Sequence, residues 1–149
     1  MREALLLLLI AILTSIRATQ IASADETVML RAGEATGPNA VFAFDKEAKP
    51  RAIVVRTSQV GVAGSRFEIS VDRAKEPVFS HIFATEECKF GNDGSKCELI
   101  VPASNPTFAM IIREFKRGRL ARVTIQDAGV MKMDQTVSLV GFTRAVRGL

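Results

Sequence analysis

The chain has no tryptophan and no tyrosine, and its only aromatic hydrocarbon rings are nine phenylalanines. Any ligand site must therefore work without the ring hydroxyl or indole N–H common in sugar and base pockets. Histidine occurs once, at His81, and cysteine twice, at Cys88 and Cys97. A single histidine leaves little material for acid–base catalysis, where that side chain is the usual proton carrier. No Gly-x-Ser-x-Gly elbow surrounds any serine, and Gly61-Val-Ala-Gly64 leads into a strand rather than a helix, which excludes a phosphate cradle. A dominant charge is also lacking, with 20 Lys and Arg against 16 Asp and Glu for a net +4. That balance, with no aromatic residues interleaved among the cations, argues against a nucleic-acid partner.

No apolar run is long enough to anchor the chain permanently. Ala4 to Ile16 is 13 residues, short of the roughly 20 a spanning helix needs. Arg2 before it, Arg17 after it, and Ala22-Ser23-Ala24 ahead of Asp25 have the form of a cleavable export signal over residues 1–24. The protein is accordingly expected in the periplasm, on the cell surface or in the medium, and not as an integral membrane protein. One domain of 125 residues follows, 25–149, with its net charge reduced to +3 because the leader holds Arg2, Arg17 and Glu3. A chain of that length can bury a real core.

An exported chain meets oxidising conditions, so Cys88 and Cys97 are expected to form a disulfide. Between them Gly91-Asn-Asp-Gly94 is a dense set of turn formers, which predicts a hairpin tip. The closed loop is worth somewhat under about 3 kcal/mol by chain entropy. Zinc is the alternative, with His81 and carboxylates completing the ligand set, but structural zinc sites are normally four-ligand Cys/His sets. Val78–Phe83 is apolar on both parities and predicts a central strand. Glu98–Val101 is its expected antiparallel partner.

Alternation organises much of the rest. Asn39–Phe44 and Ala52–Arg56 predict an antiparallel pair around a charged turn at 45–50. In Arg66–Asp72, Phe67, Ile69 and Val71 share one face, as the two-residue period of a half-buried strand requires. Ala121, Val123 and Ile125 predict the inward face of a strand over Leu120–Gln126. A long turn at 127–134 and a strand over Thr136–Phe142 follow. One segment has a different period. Asn105 or Ser104 can cap a helix with Pro106 in its first turn. Phe108, Ile111, Ile112 and Phe115 then fall within an arc of about 100°, and Gly118 stands at the expected stop. The fold expected is mainly β: an antiparallel sandwich or partly open barrel with one short amphipathic helix late in the chain.

Candidate site residues are few. Arg113, Lys116, Arg117, Arg119 and Arg122 crowd the end of the helix and the next strand, a possible face for an anionic partner. Glu114 and Asp127 are their nearest expected counter-charges. His81 shares a parity with Phe79 and Phe83 and reads as structural, and Ser80 beside it points to the opposite face. Glu86-Glu87 reads as solvated turn charge. No catalytic, cofactor-binding or metal-binding set is expected.

From Phe79 to Val146 the order of parts resembles the invasion-associated locus B family of exported bacterial proteins. An apolar strand ends in Cys88, and Cys97-Glu-Leu-Ile-Val-Pro102 leads into another. The amphipathic helix ends in Lys116-Arg-Gly118, and Val137-Ser-Leu-Val-Gly-Phe-Thr-Arg-Ala145 closes the chain. The resemblance implies a β-rich periplasmic or cell-surface domain, associated in some bacteria with host-cell invasion. The first reading is therefore an exported, non-enzymatic protein that binds a protein or an envelope component. An exported hydrolase around His81, or an envelope-binding module using the basic face, are the alternatives.

Overall fold

The computed structural model describes residues 21–24, 27–45 and 51–147. The expected export signal, up to residue 20, and the expected charged turn, from residue 46 to 50, lie outside them. The strands are β1 (Ile21–Ala24), β2 (Thr27–Gly33), β3 (Asn39–Asp45), β4 (Ala52–Ser58), β5 (Arg66–Val71), β6 (Phe79–Ile82), β7 (Cys88–Gly91), β8 (Gly94–Pro102), β9 (Leu120–Asp127) and β10 (Val130–Ser138). Two helices, α1 (Pro106–Arg117) and α2 (Phe142–Ala145), interrupt or end the series. All strand pairs are antiparallel, in a six-stranded sheet ordered β1-β2-β3-β4-β8-β7 and a four-stranded sheet ordered β10-β9-β5-β6. The expected antiparallel sandwich with one main helix is what forms.

Alternation places the core. Val28, Leu30, Ala32, Phe42, Phe44, Ile53 and Val55 face inward from the larger sheet, and Phe67, Ile69, Val71, Ala121, Val123 and Ile125 from the smaller. Phe42 meets Phe67 across the gap at 6.0 Å between ring centroids. Each such ring contributes roughly 1.5–3 kcal/mol by leaving water. Helix α1 adds Phe115, whose ring lies 6.0 Å from Phe42 and 5.4 Å from Phe142 of α2. The helix starts as its sequence predicts, with the Asn105 side chain accepting a hydrogen bond from Thr107 N–H at 3.0 Å. Its stop works differently. Gly118 has φ −82°, not the left-handed geometry of a glycine cap. A Cβ there would lie 2.2 Å from Val71 Cγ1, so glycine is required because helix and strand approach closely.

Four readings of strands and turns are corrected. Residues 27–33, whose sequence offers only the short apolar run Val28-Met29-Leu30, form a full strand. Residues 78–83 do not make a central strand: β6 is the edge of the four-stranded sheet, bonded to β5, while β8 lies between β4 and β7 in the other sheet. The chain changes sheet between them through a 3-10 turn, Thr85–Glu87. The long turn at 127–134 is absent too. β9 and β10 join through Ala128-Gly129, β10 ends at Ser138, and Phe142 belongs to a helix.

Candidate functional site

The hairpin that holds both cysteines is built from β7 and β8. Cys88 faces Cys97 directly in the register, followed outward by Lys89 and Lys96, Phe90 and Ser95, and Gly91 and Gly94. Gly94 has φ +98°, a conformation that glycine adopts without strain and that lets the chain reverse over Asn92-Asp93. Lys96 Nζ donates to Asp93 Oδ2 at 2.6 Å across the turn. That bond holds the Asp93 carboxyl below the usual carboxylate range.

The disulfide between Cys88 and Cys97 forms as expected, so these sulfurs are not available as zinc ligands. It pins β7 to β8, not residues 78–83 to 98–101. Its base is packed into the fold. Cys97 N–H donates to Thr57 Oγ1 at 3.1 Å, and the left-handed turn at Gly61 lies against the Cys97 sulfur. The tip is not packed. Phe90 is 84 % exposed, whereas Phe42, Phe44, Phe67, Phe83, Phe115 and Phe142 are sealed in the core.

Beside this hairpin lies a groove of about 420 Å³, lined by Arg56, Glu86, Lys89, Lys96 and Glu98 among others. Arg56 Nε bonds Glu98 Oε2 at 2.7 Å across β4 and β8. Lys96 is held by Asp93, which leaves Lys89 and Glu86 as the groove charges with no ion-pair partner among the described residues.

His81 stands at the far side of the 3-10 turn. Its ring stacks on Phe79 within 6° of parallel and meets Phe83 edge-on. Nε2 lies 2.8 Å from Glu87 Oε2, which also accepts a bond from Ala84 N–H. Burial works to raise the Glu87 carboxyl, but these two donors outweigh it and hold it below its ordinary value. Glu87 is therefore a structural partner of His81, not the solvated turn charge expected. Ser80 is elsewhere, on the opposite face as expected, with its hydroxyl bonded to Glu68 at 3.3 Å.

The expected basic face divides. Arg113, Lys116 and Arg117 rim an open, mainly apolar groove of about 380 Å³ over Phe108, Ala109 and Ile112. Arg113 pairs with Glu114 at 3.1 Å. Arg119 is used through its backbone: its N–H and that of Leu120 donate to Asp72 Oδ1, and these bonds depress the Asp72 carboxyl. Arg122 points outward from the four-stranded sheet, where Nε and a terminal nitrogen bond both oxygens of Asp134 at 2.7 and 2.6 Å. That fork raises the guanidinium pKa and lowers the carboxyl. The counter-charge of Arg122 is thus Asp134, not Asp127.

No protein-family model, curated protein or solved structure matches this chain.

Within the described residues, no helix is long and apolar enough to cross a membrane, and no three His, Cys, Asp or Glu side chains converge as a metal site would require. The cysteines and turn formers mark the hairpin tip in the sequence, whereas nothing there marks Arg56 and Glu98 as its neighbours in the groove. Arg56 and Glu98 come together only because β4 pairs with β8, a neighbour relation with no local signal.

Proposed function

We propose that this chain is an exported binding protein of the bacterial envelope, of the kind represented by the invasion-associated locus B family, and that the β7–β8 hairpin is its contact element. The observation that carries this reading is Phe90, a large ring left in water on a covalently closed hairpin beside a charged groove. An exposed aromatic on a rigid support loses little conformational entropy on binding, which is the usual composition of an interface hot spot. Lys89, Glu86 and the Arg56–Glu98 pair give the surround both signs of charge and suit a protein partner. Periplasm, cell surface and medium all agree with an oxidised hairpin.

The test is capture from the native envelope on the immobilised domain, comparing the oxidised parent with Phe90→Ser and with reduced protein. One defined partner retained by the parent and lost from both others is the expected result. A partner retained equally by Phe90→Ser would remove the hairpin from the interface.

A further inference from the structure

The small-x-small cleavage motif and strand β1 are the same residues. Ala24 lies opposite Thr27 and Ile21 opposite Leu30, so β1 completes the six-stranded sheet along β2. Processing after Ala24 would therefore remove a strand from the sheet. We infer that this removal makes β2 a homodimer interface, so that the exported chain pairs edge to edge with a second copy. The inference rests on the reading of residues 1–24 as a cleaved leader.

The four sheet edges left after cleavage are not alike. Natural edges are blunted by shortness, bulges or charge. β6 and β7 are four residues each. β10 carries a register shift between Met131 and Met133, with Lys132 and Asp134 around it. β2 has none of these protections. It is seven residues long, has no proline, pairs with β3 without a shift, and carries a single charge, Arg31. Its inward side chains Val28, Leu30 and Ala32 are fully buried, so the edge is held straight by the core. The lane beyond it is the one that β1 fills, so cleavage would vacate it.

A second copy fits that lane without conflict. Antiparallel pairing about a two-fold axis normal to the sheet keeps inward residues inward. Centred on Met29, it sets Met29 opposite Met29 of the second copy, Val28 opposite Leu30 and Thr27 opposite Arg31, with no like charges facing. It also joins two apolar rows. Met29, Ala43, Val54 and Ile100 lie side by side across β2, β3, β4 and β8 on the outer face, and the dimer makes this row continuous across both copies.

The experiment compares sedimentation of a chain starting at Asp25 with one starting at Ile21, which keeps β1. The Asp25 chain should sediment at twice the single-chain mass. Keeping β1, or introducing Met29→Lys in the Asp25 chain, should return the single-chain mass with the cooperative melting transition kept. Met29 is outward, so the lysine tests pairing and not the core. A single-chain mass for the Asp25 protein overturns the proposal, as does a dimer that survives Met29→Lys. If the Asp25 chain stays single but takes up a peptide of residues 17–24, the edge belongs to a donated strand. The intact mass of the exported protein tests the leader separately: a product that keeps residues 21–24 overturns the proposal through its premise.

Discussion

The β7–β8 and β9–β10 hairpins each turn the chain in two residues, and they are held by opposite means. In β9–β10 the strands carry their own anchors, since Ala121, Val123, Ile125, Met133 and Val137 are all buried. In β7–β8 the outer strand has almost nothing to bury. Lys89, Phe90 and Gly91 are exposed, and Cys88 is only partly covered. The disulfide supplies the hold that burial does not, and so lets β7 present Phe90 to solvent at the edge of a sheet. A strand freed from core duty in this way is suited to making contacts.

The sharpest break in the comparison is to place one charge in each hairpin. Val137→Asp puts a carboxylate into the sealed core under β10 and should cost about 3 kcal/mol or more, seen as loss of the cooperative melting transition. Lys89→Asp on β7 should change stability by no more than about 0.5 kcal/mol. Comparable losses would mean that β7 is part of the core after all.

Removing the covalent link comes next. Cys88→Ser with Cys97→Ser should lower stability by about 2–3 kcal/mol under oxidising conditions, measured by denaturant unfolding. Amide exchange should speed up in residues 88–96 and stay slow in residues 121–125. A variant as stable as the parent would show that β7 is held without its disulfide.

The turns themselves differ in a smaller way. Ala128 and Gly129 both have positive φ, +48° and +78°, the two-residue geometry that follows strand twist. Gly129→Ala meets no neighbour within 4 Å, so its cost is backbone strain alone, about 1–2 kcal/mol. Ala128→Asn should shift the melting temperature the other way, because asparagine tolerates that region better. Equal and opposite shifts are not expected, since asparagine relieves only part of the strain.

This turn also shows why some of the fold was legible and some was not. β5 and α1 are periodic from end to end, and their buried faces follow directly from Phe67, Ile69 and Val71 and from Ile111, Ile112 and Phe115. β10 is not periodic. Its bulge shifts the register between Met131 and Met133, and Gln135 and Thr136 are exposed, so the alternation breaks where the strand should announce itself. Ala128-Gly129 also lacks the Asn or Asp that marks such turns. β2 was hidden because Met29, on its outer face, joins Val28 and Leu30 into a short apolar run. Of the candidate site, the disulfide and the exposed tip could be read from Cys88, the turn formers and Cys97. The groove could not. Its Arg56–Glu98 pair spans 42 residues and depends on β8 joining the sheet of β4 instead of pairing with β6, the partner expected from the sequence.

The smallest effect concerns acid, and it tests whether the disulfide makes an ion pair redundant. Asp93 and Asp134 both sit below their ordinary pKa, Asp93 through Lys96 and Asp134 through Arg122. A carboxyl depressed in the folded state adds stability above its unfolded pKa and loses it as pH falls through the folded one. Both contributions therefore fade below about pH 4, and both are small and salt-sensitive because the pairs are exposed. They differ in what they join. Arg122–Asp134 ties β9 to β10, twelve residues apart, where no covalent bond does the same. Asp93–Lys96 closes only a turn that the Cys88–Cys97 bond already closes. In urea unfolding between pH 5 and pH 2.5, Asp134→Asn should flatten the acid limb more than Asp93→Asn. In the double-serine variant the effect of Asp93→Asn should grow, because the turn has lost its covalent backing. If Asp93→Asn flattened the limb equally with and without the disulfide, the ion pair would be stabilising the hairpin independently of it.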